Sequence, residues 1–370
     1  MYIYIFSCII SIFFTYLASK NRKALLFHIF AVLVPIALLS FRDISVGTDT
    51  KHYLSIFERS QEFEIGGFLL FTRMEFLFSI ILFYVAKLGY SYNVFLFILA
   101  LFSVLPVYAA SFRMRNKVSP TLMMFLYYLM YYQYAFNISR QAAAMSLVLL
   151  ATTYLLEGRI KPVLLLSILA LGFHNVTIVF CGIVFIYILG NRGNFFIKAL
   201  LILGMFALYA FIKSQATYYE DVYLSGQHNS GFQISYTLTM MLNFILLITA
   251  YKDSKLLDHR RTYVFFSLSI LMLNLTSLVS EWFFRISLFI DILSLIYVAN
   301  VLKSERVHSK GYKQFAYICF AIFYWLFVFV INNSGESVPY KFAKSNNYII
   351  SEEVQDNENL TYNCYRFFNA

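Results

Sequence analysis

Apolar runs separated by short polar segments organise this chain from end to end. Residues 24–41 contain no Asp, Glu, Lys or Arg, and further apolar stretches recur at 68–86, 92–112, 162–191, 199–212, 236–251, 262–280, 286–302 and 314–331. All of them are free of these residues except 68–86, with Arg73 and Glu75, and 286–302, with Asp291. A helix needs roughly 20 predominantly apolar residues to cross a hydrocarbon core about 30 Å thick. The pattern therefore predicts an all-α polytopic integral membrane protein with about 12 to 13 transmembrane helices. The run 162–191 is too long for one simple span, and "GFHN" at 172–175 breaks it near its centre. A helical hairpin fits, with arms of about 12 to 15 residues, roughly 18 to 22 Å long. The arms are short, so the apex residue His174 is expected below the outer surface.

One region resists a unique count. Between the polar segment ending near Gly66 and the basic cluster that opens at Arg113 the chain should cross an odd number of times, yet it offers two apolar stretches, 68–86 and 92–112. Either one of them does not cross fully, with Pro106 a candidate break, or "RMRNK" faces outward against the positive-inside rule. At the N-terminus, residues 1–18 lack the positively charged start of a secretory signal and are followed closely by "KNRK". They read as a retained first span rather than a cleaved peptide.

Composition agrees with this pattern. The chain is 60% hydrophobic and only 13% charged, against about a quarter charged in a soluble domain. No soluble domain is left over: residues 1–331 form the transmembrane unit and 332–370 a tail. Cys8, Cys181, Cys319 and Cys364 are scattered without metal-ligand spacing, and three of them read as small core hydrophobes. The formal net charge of +10 could suggest nucleic acid. The basic residues lie, however, in short clusters at 20–23, 113–117, 159–161, 192–198, 252–261 and 303–313, which topology explains better. These clusters face the cytoplasm by the positive-inside rule, so loops 42–66 and 213–235 and the tail face outward.

Charge in or near hydrocarbon costs about 2.5 to 3.5 kcal/mol per group, so the few such residues are functional candidates. Arg42, Arg73, Arg140 and Arg285 all fall at outer helix ends. Arginine's planar fork of donors matches phosphate oxygens and stays charged when partly desolvated, so converging arginines imply an anion. Simpler readings stay open. Glu281 and Arg285 share a helix face at i, i+4 and can pair; Arg73 can pair with Glu75. Arg140 has no acidic neighbour in sequence and could reach up to lipid headgroups. In "FRDISVGTDTKHY", residues 41–53, Thr48 or Asp49 can cap a helix starting near Lys51, and Gly47 permits a tight turn. His174 could be a catalyst or a hydrogen-bonded turn residue. Loop 213–235 is rich in Tyr, Asn, Gln and Ser, which suit sugar faces and hydroxyls but also a plain solvated loop.

Taken in order, these elements resemble the EpsG-like, Wzy-type family of bacterial surface-polysaccharide polymerases, which includes O-antigen polymerases. The resemblance rests on Arg42 followed by "VGTD" at 46–49 and Tyr53, on Glu75 opening the next apolar stretch, on Arg140 and Gln141 with Ala142, Ala143 and Ala144 behind them, and on the histidine segment "LALGFHNVTIV". It covers about residues 1–300, with "VPYKF" in the tail a weaker echo. Family members often carry a glycine directly after the acidic residue, where this chain has Phe76.

The resemblance implies a glycosyltransferase of the bacterial inner membrane. It would move a growing glycan from undecaprenyl pyrophosphate onto the next lipid-linked repeat unit at the periplasmic face. A flippase and a chain-length regulator would be its partners, and no cofactor or metal is called for. Fixed arginines would stabilise the departing pyrophosphate, and Asp49 or His174 would take the acceptor proton. Arg42, Gly47, Thr48, Tyr53, Glu75, Gln141 and Glu281 would line the substrate site. Two rivals are a lipid-linked oligosaccharide flippase, which should show internal repeats and midplane charge, and an O-antigen ligase, which shares the donor chemistry.

Overall fold

The structure, a computed structural model, describes residues 1–190, 285–286, 288–289, 291–303, 310–333 and 335–343. Among the described residues there are helices and turns and no strand. The sequence-expected segments 199–212, 236–251 and 262–280, loop 213–235 and Glu281 lie outside them.

The first two helices, α1 (Tyr2–Lys20) and α2 (Leu25–Ser40), reverse the usual polarity of a soluble helix. The face of α1 turned into the protein carries Ser7, Ser11, Thr15 and Ala18, spaced at three and four residues. Its outer face presents Phe6, Ile9, Phe13 and Tyr16. Small residues inside and large apolar ones outside suit helix contacts made in a lipid solvent, where close backbone approach and internal hydrogen bonds replace water-driven burial. Pro35, inside α2, cannot donate to the carbonyl of Ala31 four residues back, and the Ser11 hydroxyl of α1 donates to that oxygen at 2.6 Å. The outward faces of α1 and α2 remain apolar over most of their length, as expected of a membrane protein.

A short amphipathic helix, α3 (Thr50–Arg59), follows, then α4 (Ile65–Thr72) and α5 (Phe76–Lys87). Next comes α6 (Tyr92–Arg113), which with α1 is one of two described helices both long and apolar enough to cross a membrane. Pro106 lies inside α6 without ending it, and the nearby carbonyl of Ser103 receives the Tyr127 hydroxyl at 2.9 Å and the Ser146 hydroxyl at 2.6 Å. The stretch 68–86 breaks instead, where Arg73 turns left-handed at φ 50° and Glu75 is extended. The fragments are short: eight residues in α4 and twelve in α5, about 12 and 18 Å at 1.5 Å per residue. Each end of α5 is tied down. Glu75 pairs with Arg140, and Lys87 donates to the Gln61 carbonyl at 3.0 Å while the Gln61 amide donates to the Ala86 carbonyl at 2.7 Å. Within 65–113, α6 alone is long and apolar enough to cross a membrane.

The core is completed by α7 (Pro120–Met130), the single turn α8 (Tyr134–Asn137), α9 (Ser139–Leu155) and the hairpin α10 (Ile160–Phe173) and α11 (Thr177–Gly190). Helix α9 is buried almost all round and packs on α6 and α10, with Ala142, Ala143 and Ala144 letting the backbones approach. Helix α12 (Ser294–Lys303) and α13 (Lys310–Tyr324), which continues as a wider turn over Trp325–Ile331, close it.

The two ends differ in kind. One gathers Arg113, paired with Glu157 and stacked 3.5 Å from the Tyr154 ring centroid, and Lys303, which donates to the carbonyls of Asn116 and Val118 at 3.1 and 3.3 Å. At the other, residues 335–343 double back along the loop 41–47. Gly47 N–H donates to the Glu336 carbonyl at 3.1 Å, Asp43 N–H to that of Lys341 at 2.9 Å, and Ala343 N–H to that of Phe41 at 2.9 Å. The sequence reading sets a tail apart from residue 332; its first described part is instead strapped to the polar loop.

Candidate active site

The loop 43–49 is shaped by local chemistry. The Asp43 carboxylate accepts from Ser45 N–H at 3.0 Å, and Val46 N–H reaches back to the Asp43 carbonyl at 3.0 Å. Gly47 has φ +90°, and a Cβ there would lie 1.9 Å from the Phe136 carbonyl oxygen. Only glycine fits a left-handed turn pressed this closely against backbone. Helix α3 then starts at Thr50, whose hydroxyl donates to the Val46 carbonyl at 2.8 Å.

Asp49 stands at the N-cap of α3, but its side chain makes no capping bond. Its Oδ2 instead accepts from the Tyr53 hydroxyl, one turn along, at 2.9 Å. That same hydroxyl accepts from Arg140 Nε at 3.0 Å. Arg140 Nη1 pairs with Glu75 Oε2, and Glu75 Oε1 accepts from Asn175 N–H at 3.1 Å. One continuous chain of hydrogen bonds therefore joins α3, α9, the start of α5 and the apex of the α10–α11 hairpin. Its centre is shielded: Tyr53 is 1% exposed and the Glu75 residue 8%. The Arg140 side chain is 23% exposed, between the rings of Tyr53 and Phe78 at 5.7 and 5.4 Å. Its Nη2 makes no hydrogen bond among the described residues. A guanidinium held by two partners, with one edge uncommitted and the positive N-terminal pole of α9 beneath it, is a ready anion site.

Gln141 and Arg285 come together through backbone: the Gln141 side-chain amide donates to the Arg285 carbonyl at 2.6 Å. The segment carrying Arg285 also covers the histidine, with Phe289 and His174 ring centroids 5.6 Å apart. Burial pushes the His174 imidazole down to about 4, opposed by Glu75 and reinforced by Arg140 and Arg285. His174 is thus neutral at neutral pH. Its Nδ1 accepts from Val176 N–H at 3.2 Å.

Some sequence-named residues lie elsewhere. Arg42 does not face an opening: it is 3% exposed, donating to the carbonyls of Leu39 and Ala135 at 3.3 Å each and to the Ser139 hydroxyl at 3.2 Å. It brackets the ends of α2, α8 and α9 from within. Arg73 turns the chain between α4 and α5, while the Glu75 carboxylate goes to Arg140 and Asn175. Thr48 is exposed and its hydroxyl contacts Asn137 Oδ1. Sequence reasoning gave no role to Asn137, the Asn175 amide or His52, and it noted "VPYKF" at 338–342 without placing the strap 335–343 against the loop 41–47. His52 lies one turn past Thr48 on the exposed side of α3, its pKa lowered first by burial, raised by Asp49 and lowered by Arg140. The i, i+3 spacing of Asp49 and His52 was the available signal.

Comparison with known proteins adds one finding. No curated protein and no solved structure matches the chain. The family model described as "EpsG family" matches residues 25–342, a range that holds Arg42, the loop 43–49, Glu75, Arg140, His174 and Arg285. The match takes in the strap as far as Phe342, and with most of its length matched the chain belongs to the EpsG family.

Proposed function

We propose that this protein polymerises lipid-linked oligosaccharide repeat units into a surface polysaccharide. The growing glycan passes from its undecaprenyl pyrophosphate carrier to a hydroxyl of the next lipid-linked unit, at the periplasmic face of the inner membrane. Membership of the EpsG family supports a polymerase-like role in polysaccharide synthesis. The observation that carries the chemistry is the Asp49–Tyr53–Arg140–Glu75 chain, which joins a proton acceptor to a fixed guanidinium.

In this reading Arg140 and Arg285 bind the pyrophosphate, whose charge grows as the bond to the anomeric carbon breaks; a fixed cation stabilises that state more than the ground state. Asp49, at the half-buried mouth of the loop, accepts the proton of the attacking hydroxyl. Tyr53 keeps the carboxylate and the guanidinium in register while separating them, so the acid is not neutralised by direct pairing. The basic end with Arg113, Arg115 and Lys303 faces the cytoplasm and the strap end faces outward. A flippase would deliver the substrates and a chain-length regulator would set product size.

The test is gel analysis of surface glycan from a deletion strain. Products one repeat unit long support the polymerase; stranded lipid-linked units with no surface glycan indicate a flippase, and long unattached polymer indicates a ligase.

A further inference from the structure

We propose that His174 serves the reaction as a neutral hydrogen-bond donor through Nε2–H and not as the base, which leaves proton acceptance to Asp49. This rests on the glycosyl-transfer reading above.

The argument is one of tautomers. A backbone N–H has a proton and no lone pair to offer, so the contact from Val176 N–H to His174 Nδ1 at 3.2 Å requires a lone pair on Nδ1. In a neutral imidazole the other nitrogen then carries the proton. Nε2 is consequently a donor and has no lone pair with which to take a proton from a hydroxyl. The hairpin apex fixes this choice: Thr177 N–H donates to the His174 carbonyl at 3.1 Å and Asn175 N–H to Glu75 Oε1 at 3.1 Å. Phe289 covers the ring. The turn that aims Val176 N–H at the ring is thereby held by two further bonds.

The charges around the ring favour the neutral form. Arg140 from α9 and Arg285 oppose a third positive charge, and burial does the same; Glu75 from the start of α5 opposes them but is already paired with Arg140. A neutral donor next to two arginines can hydrogen-bond an anionic oxygen without competing for its proton. In the transfer step the acceptor oxygen bonds the anomeric carbon, the carbon–oxygen bond to pyrophosphate breaks, and its electron pair stays on the departing oxygen. The acceptor proton goes to Asp49. The His174 proton stays on Nε2 throughout, its hydrogen bond strengthening as the oxygen gains charge.

The test uses the full chain in lipid nanodiscs, with lipid-linked oligosaccharide extracted from the deletion strain as substrate. His174→Gln places an amide donor near the position of Nε2, and His174→Leu removes it. Loss of one donor to developing charge costs about 10² to 10³ in rate. The Leu variant should lose that much, while the Gln variant should stay within about tenfold of wild type with an unshifted pH–rate profile. Gln as inactive as Leu, together with an active Asp49→Asn variant, would identify His174 as the base and overturn the proposal. A fully active Leu variant would overturn it as well. Independently of turnover, nitrogen NMR of the ¹⁵N-histidine-labelled chain, with His174→Gln to assign the signal, should show Nδ1 unprotonated and Nε2 protonated; the opposite tautomer sinks the idea. Absence of elongation by the wild-type chain would count against the polymerase reading, and the NMR result would still decide the tautomer.

Discussion

Asp49 and Tyr53 are joined across one turn of α3, with the phenol hydroxyl donating to Oδ2 at 2.9 Å. The carboxylate that the sequence would place in a helix cap is spent on a side chain whose other partner is Arg140. This redirects the test of Asp49. Asparagine caps about as well as aspartate, and no capping bond is at stake, so Asp49→Asn should insert and melt like wild type yet fail to elongate glycan. Tyr53→Phe keeps the packing against Phe78 and removes the bridge; a hydrogen bond to a charged group is worth about 1.5 to 3 kcal/mol, so activity should fall about 10- to 100-fold. Both are read as chain length and initial rate in nanodiscs. Full-length polymer from Asp49→Asn rules the aspartate out as base.

The Glu75 carboxylate holds both Arg140 and the hairpin apex, through Asn175 N–H. Glu75→Gln keeps an acceptor for Asn175 N–H but loses the charge partner of Arg140. We expect a lower melting temperature and a rate reduced at least about tenfold, in keeping with the loss of about 1.5 kcal/mol or more from one charge-assisted bond. Arg140→Lys keeps charge without the fork, and its loss should be larger because a flexible ammonium lacks the rigid, separated Nε and Nη1 donors that reach Tyr53 and Glu75. Equal activity of Glu75→Gln and wild type would contradict this role.

Gly47→Ala meets two penalties together. The left-handed φ costs a β-carbon residue about 1 to 2 kcal/mol, and the new Cβ would overlap the Phe136 carbonyl. The loop can escape only by dragging the strap, through Gly47 N–H and Glu336. The variant should melt several degrees lower and lose activity, as followed by thermal aggregation in detergent. An unchanged melt would show that the loop is not held where described.

Acid should weaken the hairpin apex through His174. Its folded pKa is about 4, below the ordinary 6.5 of histidine. Between those values the unfolded chain binds more protons than the folded one, so stability rises with pH across this window and is flat above it. The drop from pH 6.5 to 4 is at most about 3 kcal/mol from this group. His174→Gln should remove that part of the pH slope in denaturation measurements; an identical slope would mean the imidazole is not held neutral.

The topology follows from the break at Arg73. With Cys8, Cys181, Cys319 and Cys364 replaced, cysteines at the exposed positions Ser55 and Tyr90 should react with an impermeant reagent from outside. One at Asn116 should react only after permeabilisation. Ser55 and Tyr90 on opposite sides would mean that α4 and α5 cross after all.

The apolar periodicity alone determined the helical class, the membrane setting and the hairpin bent at "GFHN", because burying 20-residue apolar runs leaves the backbone no other way to satisfy its hydrogen bonds in lipid. Side-chain chemistry also singled out Asp49, Arg140 and His174. What the sequence left open was partnership, since that depends on which helix ends meet. Glu75 and Arg140 are 65 positions apart and pair only because α5 begins where α9 begins. Arg42 looked like its fellow outer arginines, yet the loop carries it inward onto carbonyls that need donors. The break in 68–86 was invisible to hydropathy for the same reason. Arg73 and Glu75 interrupt the run, and Pro106 interrupts the next. Neighbouring hydroxyls bond the Ser103 carbonyl in the turn before the proline, whereas the charge at Glu75 is satisfied by Arg140 at the start of α9. That decided which stretch breaks into two short helices and which one stays a single long helix.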